Sequence, residues 1–283
     1  MPSPELKVVA RGLDFPEGPV WIPATGELWC VELKGGHVSL VGPGGKVERI
    51  VQTPGPNGMK LHADGSLWVC ECARKAVLRI DPASRNVTTV AEACGGKAFL
   101  GPNDLCFGIS QRCYFTDPNG SSLEQRIGAL YRREPDGRVF REFEGLAYPN
   151  GLAITPDRTR LVFAETLTGM LWIADRAPDG SLGGRRPLCK VGGKVGPDGM
   201  AFDADGILYA AIYGDGCVRA VDPSGRIQAE YKLPGLRPTN CCFGGKDLRT
   251  LYVTEAERGE LLALNVDRPG LPLPPLPPAS EPF

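Results

Sequence analysis

Residues 149–164 read Pro149-Asn150-Gly151-Leu152-Ala153-Ile154-Thr155-Pro156-Asp157-Arg158-Thr159-Arg160-Leu161-Val162-Phe163-Ala164. Two short apolar runs, each of strand length, flank a turn built on Pro and Asp. Alone this is a hairpin; it decides the fold because the chain repeats it six times. The second half recurs at Gly26-Glu27-Leu28-Trp29, Gly65-Ser66-Leu67-Trp68, Gln111-Arg112-Cys113-Tyr114, Gly206-Ile207-Leu208-Tyr209 and Arg249-Thr250-Leu251-Tyr252. Ten to twelve residues before each equivalent position stands a proline pair: Pro16-Glu17, Pro56-Asn57, Pro102-Asn103, Pro149-Asn150, Pro197-Asp198 and Pro238-Thr239. Alternating runs such as Ala76-Val77-Leu78-Arg79-Ile80 and Cys217-Val218-Arg219-Ala220-Val221 fill the intervals and end in Asp-Pro turns. Four short strands per unit, six units of roughly 40 to 50 residues, predict an all-β six-bladed β-propeller with four-stranded antiparallel blades around a central channel. The WD dipeptide of WD40 propellers is absent. Leu6-Lys7-Val8-Val9-Ala10 is expected to complete the last blade and clasp the ring. The propeller is assigned residues 1–268, and residues 269–283 form a proline-rich tail.

Composition agrees and excludes much else. The 283 residues include 37 Gly and 27 Pro, which leave no long window free for a helical bundle. Lys and Arg (32) balance Asp and Glu (33), so no basic stripe marks a nucleic-acid partner. No run of about 18 apolar residues crosses a membrane, and no signal peptide opens the chain, so a cytoplasmic location is expected. Ten cysteines in that setting read as reduced and buried, with neither zinc-knuckle nor redox spacing. Three Gly-Gly-Lys tripeptides lack a following Ser or Thr and read as hairpin turns. Only two histidines exist, His37 and His62, both expected at the surface. Three-imidazole metal sites are excluded, and little is left for a Ser-His-Asp triad.

The first strand of each propeller blade lines the channel. The residue after each proline therefore comes from one equivalent place per blade: Glu17, Asn57, Asn103, Asn150, Asp198 and Thr239. Every one carries a side-chain oxygen. Such residues after Pro are ordinary turn formers when taken singly. Six in phase, with no sulfur or imidazole, suit a divalent cation of the Ca²⁺, Mg²⁺ or Mn²⁺ kind.

At these residues the chain resembles the SMP-30/gluconolactonase/luciferin-regenerating-enzyme family. The resemblance rests on Phe15-Pro16-Glu17-Gly18-Pro19-Val20-Trp21, Gly101-Pro102-Asn103-Asp104-Leu105 and Tyr114-Phe115-Thr116-Asp117-Pro118. Pro149-Asn150-Gly151-Leu152-Ala153, Gly196-Pro197-Asp198-Gly199-Met200 and the segment from Thr239-Asn240 to Thr254 complete it, in the family's order. It implies a six-bladed propeller with one divalent metal, Ca²⁺ first, with Mg²⁺, Mn²⁺, Zn²⁺ and Fe²⁺ as alternatives. It further implies metal ligands at Glu17, Asn150, Asp198 and Asn103, with Asp198 also the general base. One departure stands out. Relatives such as the animal gluconolactonases carry an Arg where this chain has Gly101, which favours the bacterial lactonase pattern and a lactone in general over a sugar lactone.

The expected activity is therefore metal-dependent hydrolysis of a small lactone or ester. Asn103 and Asn57 would bind the substrate, and Tyr213 would line the pocket mouth unless it packs as an ordinary strand residue. Asp117 either supports the site from behind its lining residues or forms a turn before Pro118, and the turn is expected. The alternatives are a non-catalytic binding propeller with a structural metal, or a different metal-dependent reaction. The oligomeric state is left open.

Overall fold

The computed structural model describes residues 5–272. Six four-stranded antiparallel sheets follow one another along the chain. Their innermost strands are Pro16–Ile22, Pro56–Leu61, Leu105–Phe107, Pro149–Ile154, Gly196–Phe202 and Pro238–Gly244. Each touches the next, and Pro238–Gly244 packs on Pro16–Ile22, so the circle closes. Blades one and four, two and five, and three and six thus face each other across the axis. The sixth blade takes its outer strand from the N-terminus: Leu6–Arg11 pairs antiparallel with Glu260–Asn265. The clasp and the six-bladed propeller are as the repeat predicts.

Burial follows position in the blade. Second strands lie between neighbouring blades with both faces covered, so Leu67–Glu71 and Cys113–Asp117 are buried throughout. Outer strands such as Val87–Ala91 meet solvent and read polar. The apolar core is divided into six clusters, one at each junction between blades. The junction of blades six and one, for example, packs Leu261 and Ala10 against Leu28, Cys30 and Val41. Tight hairpins rely on glycine at positive φ, as at Gly65 and Gly206 (φ +84° and +87°).

All ten cysteines are free, six of them buried. Two local expectations need correction. Gly192-Gly193 lies in the link between blades four and five, not in a hairpin. His62 is not a surface residue, because it stacks on Trp68 and meets Phe107 edge-on, where the apolar ring is better packed than solvated. His37 likewise is only partly exposed, with Nδ1 buried. The start of the proline-rich tail is ordered against the propeller, through Ala204 N–H to Pro269 C=O (2.9 Å) and Gly270 N–H to Leu248 C=O (2.8 Å). Residues 273–283 of that tail lie outside the described residues. No described helix is long and apolar enough to cross a membrane.

Candidate functional site

In five blades the proline pair lies at the start of the inner strand, which slips register immediately afterwards; in blade three Pro102-Asn103 stands just ahead of Leu105–Phe107. The irregularities fall between Glu17 and Val20, Pro56 and Met59, Pro149 and Leu152, Pro197 and Met200, and Pro238 and Asn240. A bulge re-aims the side chain at that point. Glu17, Asn57, Asn103, Asn150 and Asp198 are all buried where the inner strands begin. Thr239, the sixth of the series, is turned elsewhere. Its hydroxyl bonds Pro16 C=O and Thr254 Oγ1 (2.7 Å each), tying blade six to blade one.

The neighbouring position explains what Thr239 does not supply. Four of the proline pairs are followed by glycine (Gly18, Gly58, Gly151, Gly199), but blade three has Asp104 and blade six Asn240. Both side chains are buried in the channel. Asn240 Nδ2 donates to Glu17 Oε2 (3.0 Å) and to Asp104 Oδ2 (3.2 Å). Lys60 Nζ, on the inner strand of blade two, stands 4.0 Å from Asp104 Oδ1.

Burial dominates the electrostatics, and neighbouring carboxylates add to it at Glu17 and Asp198. Burial, then the charge of Asp104, pushes the Glu17 carboxyl up to about 7 against the pull of the Asn240 amide. Burial, then Glu17 and Asp104, drives Asp198 well above the usual carboxylate range, partly offset by the Asn150 amide. Burial also raises Asp104 despite Lys60. Ionised, the three carboxylates and the one ammonium leave two negative charges in a dry enclosure.

Those residues fit a divalent cation. Among the described residues no three His, Cys, Asp or Glu side chains are placed to share a metal, so carboxamide oxygens must supply part of any ligand set. Asn150 is prepared for it. Its Nδ2 is committed to Thr166 Oγ1 (3.2 Å), and its Oδ1 is buried with no hydrogen-bond partner. A buried acceptor left unpaired is costly, and a cation would satisfy it.

The site is held by a second set of acids that the sequence reading missed. Five second strands end on a buried carboxylate: Glu32, Glu71, Asp117, Glu165 and Glu255. Four of them accept backbone N–H groups just ahead of a proline pair. Asp14 bonds Glu32 (3.0 Å), Ala147 bonds Glu165 (2.7 Å) and Arg237 bonds Glu255 (2.9 Å). Asp117 takes two, Leu100 (2.8 Å) and Gly101 (2.6 Å), so it is a loop anchor rather than the turn former its proline suggested. The signal was present as an acid closing the second repeat phrase in five of the six blades.

Two tyrosines feel the charge of Asp198. Tyr213 ends its strand half-buried, its hydroxyl raised first by burial, with Asp198 adding to the effect. Tyr148, also missed, precedes Pro149 with φ +60°, a strained conformation for a non-glycine residue. Its N–H is fixed to Ser121 Oγ (3.0 Å) and its C=O to Thr166 N–H (3.0 Å). Burial, then the nearby Asp198, pushes its phenol up to about 12. Phe15 holds the same place before Pro16 in the opposite blade, at φ +58°. Gly101 has no room for a side chain, since a Cβ there would meet Asn119 Cβ at 2.9 Å and Cys72 C=O at 3.0 Å.

Comparison with known proteins points to one family. The SMP-30/Gluconolactonase/LRE-like region matches residues 15–257. A gluconolactonase of Zymomonas mobilis is 31% identical, the match covering 89% of this chain and 79% of that protein. A pentonolactonase of Haloferax volcanii is 28% identical over 88% of this chain and 84% of its own. Among solved structures, a gluconolactonase from Xanthomonas campestris superposes with a TM-score of 0.82 at 28% identity, covering 93% of this chain and 89% of that one.

Proposed function

The chain belongs to the SMP-30/gluconolactonase/LRE-like family, and we propose that it is a divalent-metal-dependent lactonase, opening a small lactone or related ester by hydrolysis. Glu17, Asn103, Asn150 and Asp198 would hold the cation, Ca²⁺ being the first choice for an all-oxygen set that includes carboxamides. When bound, the cation would supply Lewis-acid polarisation of the lactone carbonyl and stabilise the charge that develops on its oxygen. The observation that carries the reading is the buried Glu17–Asp198 pair beside the unpaired Asn150 Oδ1. The lactone itself is suggested by the activities named for the relatives.

Within that reading, Asp198 takes the proton of the attacking water as general base. The carboxamides of Asn57 and Asn103 hydrogen-bond the lactone ring and its exocyclic oxygen. Tyr213 borders the entrance. Because Gly101 leaves no space for a cationic side chain, polar recognition falls to these neutral groups.

The test is to strip the purified protein with chelator, restore divalent cations singly, and follow acid release from a panel of lactones. Hydrolysis should return with at least one cation. Asp198→Ala should lower kcat about 10²–10⁴-fold, the usual span for a general base, and Glu17→Gln should weaken cation binding. No turnover with any cation and lactone would sink the proposal, and full rates in Asp198→Ala would remove the base assignment.

A further inference from the structure

The channel contains a second layer whose residues the ligand set does not use. Where four blades have glycine after the ring residue, blades three and six project Asp104 and Asn240 toward each other from opposite sides of the axis. The glycines make the space. A Cβ on Gly58 would lie 2.6 Å from Asp104 Cα, and one on Gly199 would overlap the Asn240 carboxamide. The two projecting side chains are set in the same way. Asp104 Oδ1 accepts the N–H of Leu105 (2.8 Å), and Asn240 Oδ1 accepts the N–H of Cys241 (2.9 Å). Fixing Oδ1 in this way turns the Asn240 nitrogen outward, where its two hydrogens meet Asp104 Oδ2 and Glu17 Oε2.

We propose that Asp104 and Asn240, backed by Lys60, form a crossbar that spans the channel and positions Glu17 for the cation. The inference rests on the metal reading above. Without the amide between them, Glu17 and Asp104 would face each other as two carboxylates. With it, Glu17 Oε2 is filled by Asn240 and by the Gly18 N–H (2.5 Å), and Oε1 is the oxygen left for a ligand. Lys60 supplies the charge that Asp104 needs, so Asp104 does not draw on the cation. Asn240 is thus a positioning residue, acting through Glu17.

The experiment compares wild type, Asn240→Ala, and the exchange variant Asp104→Asn/Asn240→Asp. Calorimetric titration with CaCl₂ alone gives cation affinity, and thermal unfolding in chelator gives the stability of the empty protein. Asn240→Ala should weaken cation binding about 10- to 100-fold, the usual cost of losing a residue that orients a ligand. The exchange variant keeps one amide and one acid across the bar but sets a carboxylate against Glu17, so its unfolding midpoint should lie between those of Asn240→Ala and wild type. Its cation affinity should stay low, because Glu17 now faces a carboxylate at position 240. Wild-type affinity in either variant overturns the positioning role. A midpoint in the exchange variant well below that of Asn240→Ala overturns the crossbar. Wild-type protein that binds no cation overturns the metal reading, while the exchange midpoint still decides the bar.

Discussion

Blade five is built differently from the other five at the point where it meets the site. In blades one, three, four and six a buried carboxylate at the end of the second strand holds the loop ahead of the ring residue, and blade two ends its second strand in the same way on Glu71. Blade five ends that strand on Tyr213. Its loop, leading to Asp198, contains Gly192 and Gly193 at positive φ and is held without such an acid, by the Val191 and Gly192 N–H groups on Gly169 C=O (3.0 and 3.2 Å) and by the Lys194 N–H on Asp215, an exposed bond of 3.0 Å. Four loops are fixed from within, by charge-assisted bonds in a dry interior where they are strongest. The loop of blade five gives up that anchor and places a phenol beside Asp198. Glu17, Asn103 and Asn150 follow loops held by such an acid, while Asp198, proposed as both ligand and base, follows a loop without one.

The largest effect should separate these two designs by stability. Asp117→Ala leaves the N–H groups of Leu100 and Gly101 unpaired in the interior, at roughly 3 kcal/mol for two buried donors. Tyr213→Phe removes a half-exposed hydroxyl and should stay within about 0.5 kcal/mol of wild type. Urea unfolding of both variants measures the difference. Equal losses would mean that blade five is anchored as firmly as blade three and would break the comparison.

Much of this architecture is legible in the sequence, because both the ring and its chemistry are periodic. Six proline pairs at regular spacing mark the blade count, the inner strands and five of the seven carboxylate and carboxamide side chains buried where those strands begin. What escapes breaks the period. Thr239 keeps the pattern in sequence, but its short β-branched hydroxyl finds a backbone carbonyl across the blade junction, so its neighbour Asn240 enters the channel instead. Asp104 and Asn240 are informative only as exceptions to glycine, and their meeting depends on blades three and six being opposite. Lys60 looks like an alternating polar residue of a strand until the ring brings it beside Asp104. Tyr148 is hidden by its backbone, since nothing in a Tyr-Pro dipeptide announces φ +60°.

A middle-sized effect should appear in dynamics. Hydrogen exchange follows local opening, so amides held by buried acceptors are protected and those in loosely held loops are not. Amides of residues 192–195 should exchange at least about tenfold faster than those of Leu100, Gly101 and Ala147. Hydrogen–deuterium exchange by mass spectrometry resolves these segments. Tyr213→Glu, which restores the acid found in the other blades, should slow exchange in 192–195. An unchanged pattern would show that the acid alone does not make the anchor.

The smallest effect lies at the opposite end of the same blades, where blade five departs again. In blade four the hairpin after the inner strand carries Asp157. Although its desolvation alone would raise it, the Thr155 hydroxyl (2.5 Å) and Thr159 N–H (3.1 Å) bring its carboxyl down to about 2. That value lies below the ordinary 3.8, so its contribution is present above about pH 4 and fades as pH falls toward 2. In blade five the same hairpin carries Asp203, at the position that Thr155 holds in blade four, and it is raised, chiefly by burial. Its Oδ1 accepts both Asp205 N–H (3.0 Å) and Ile207 N–H (2.8 Å), while Oδ2 is buried without a partner. Here the sign reverses: ionising Asp203 costs the folded state more than the unfolded one, so stability falls as pH rises past 3.8 and the penalty is complete above the raised value. Asp157→Asn should therefore lower the urea midpoint at pH 7, with the gap to wild type closing toward pH 2. Asp203→Asn keeps the Oδ1 acceptor for both N–H groups and removes the charge, so its midpoint at pH 7 should equal or exceed that of wild type. The advantage should disappear as the pH is lowered to 4. Parallel losses in the two variants at neutral pH would show that the two hairpins use their aspartates alike.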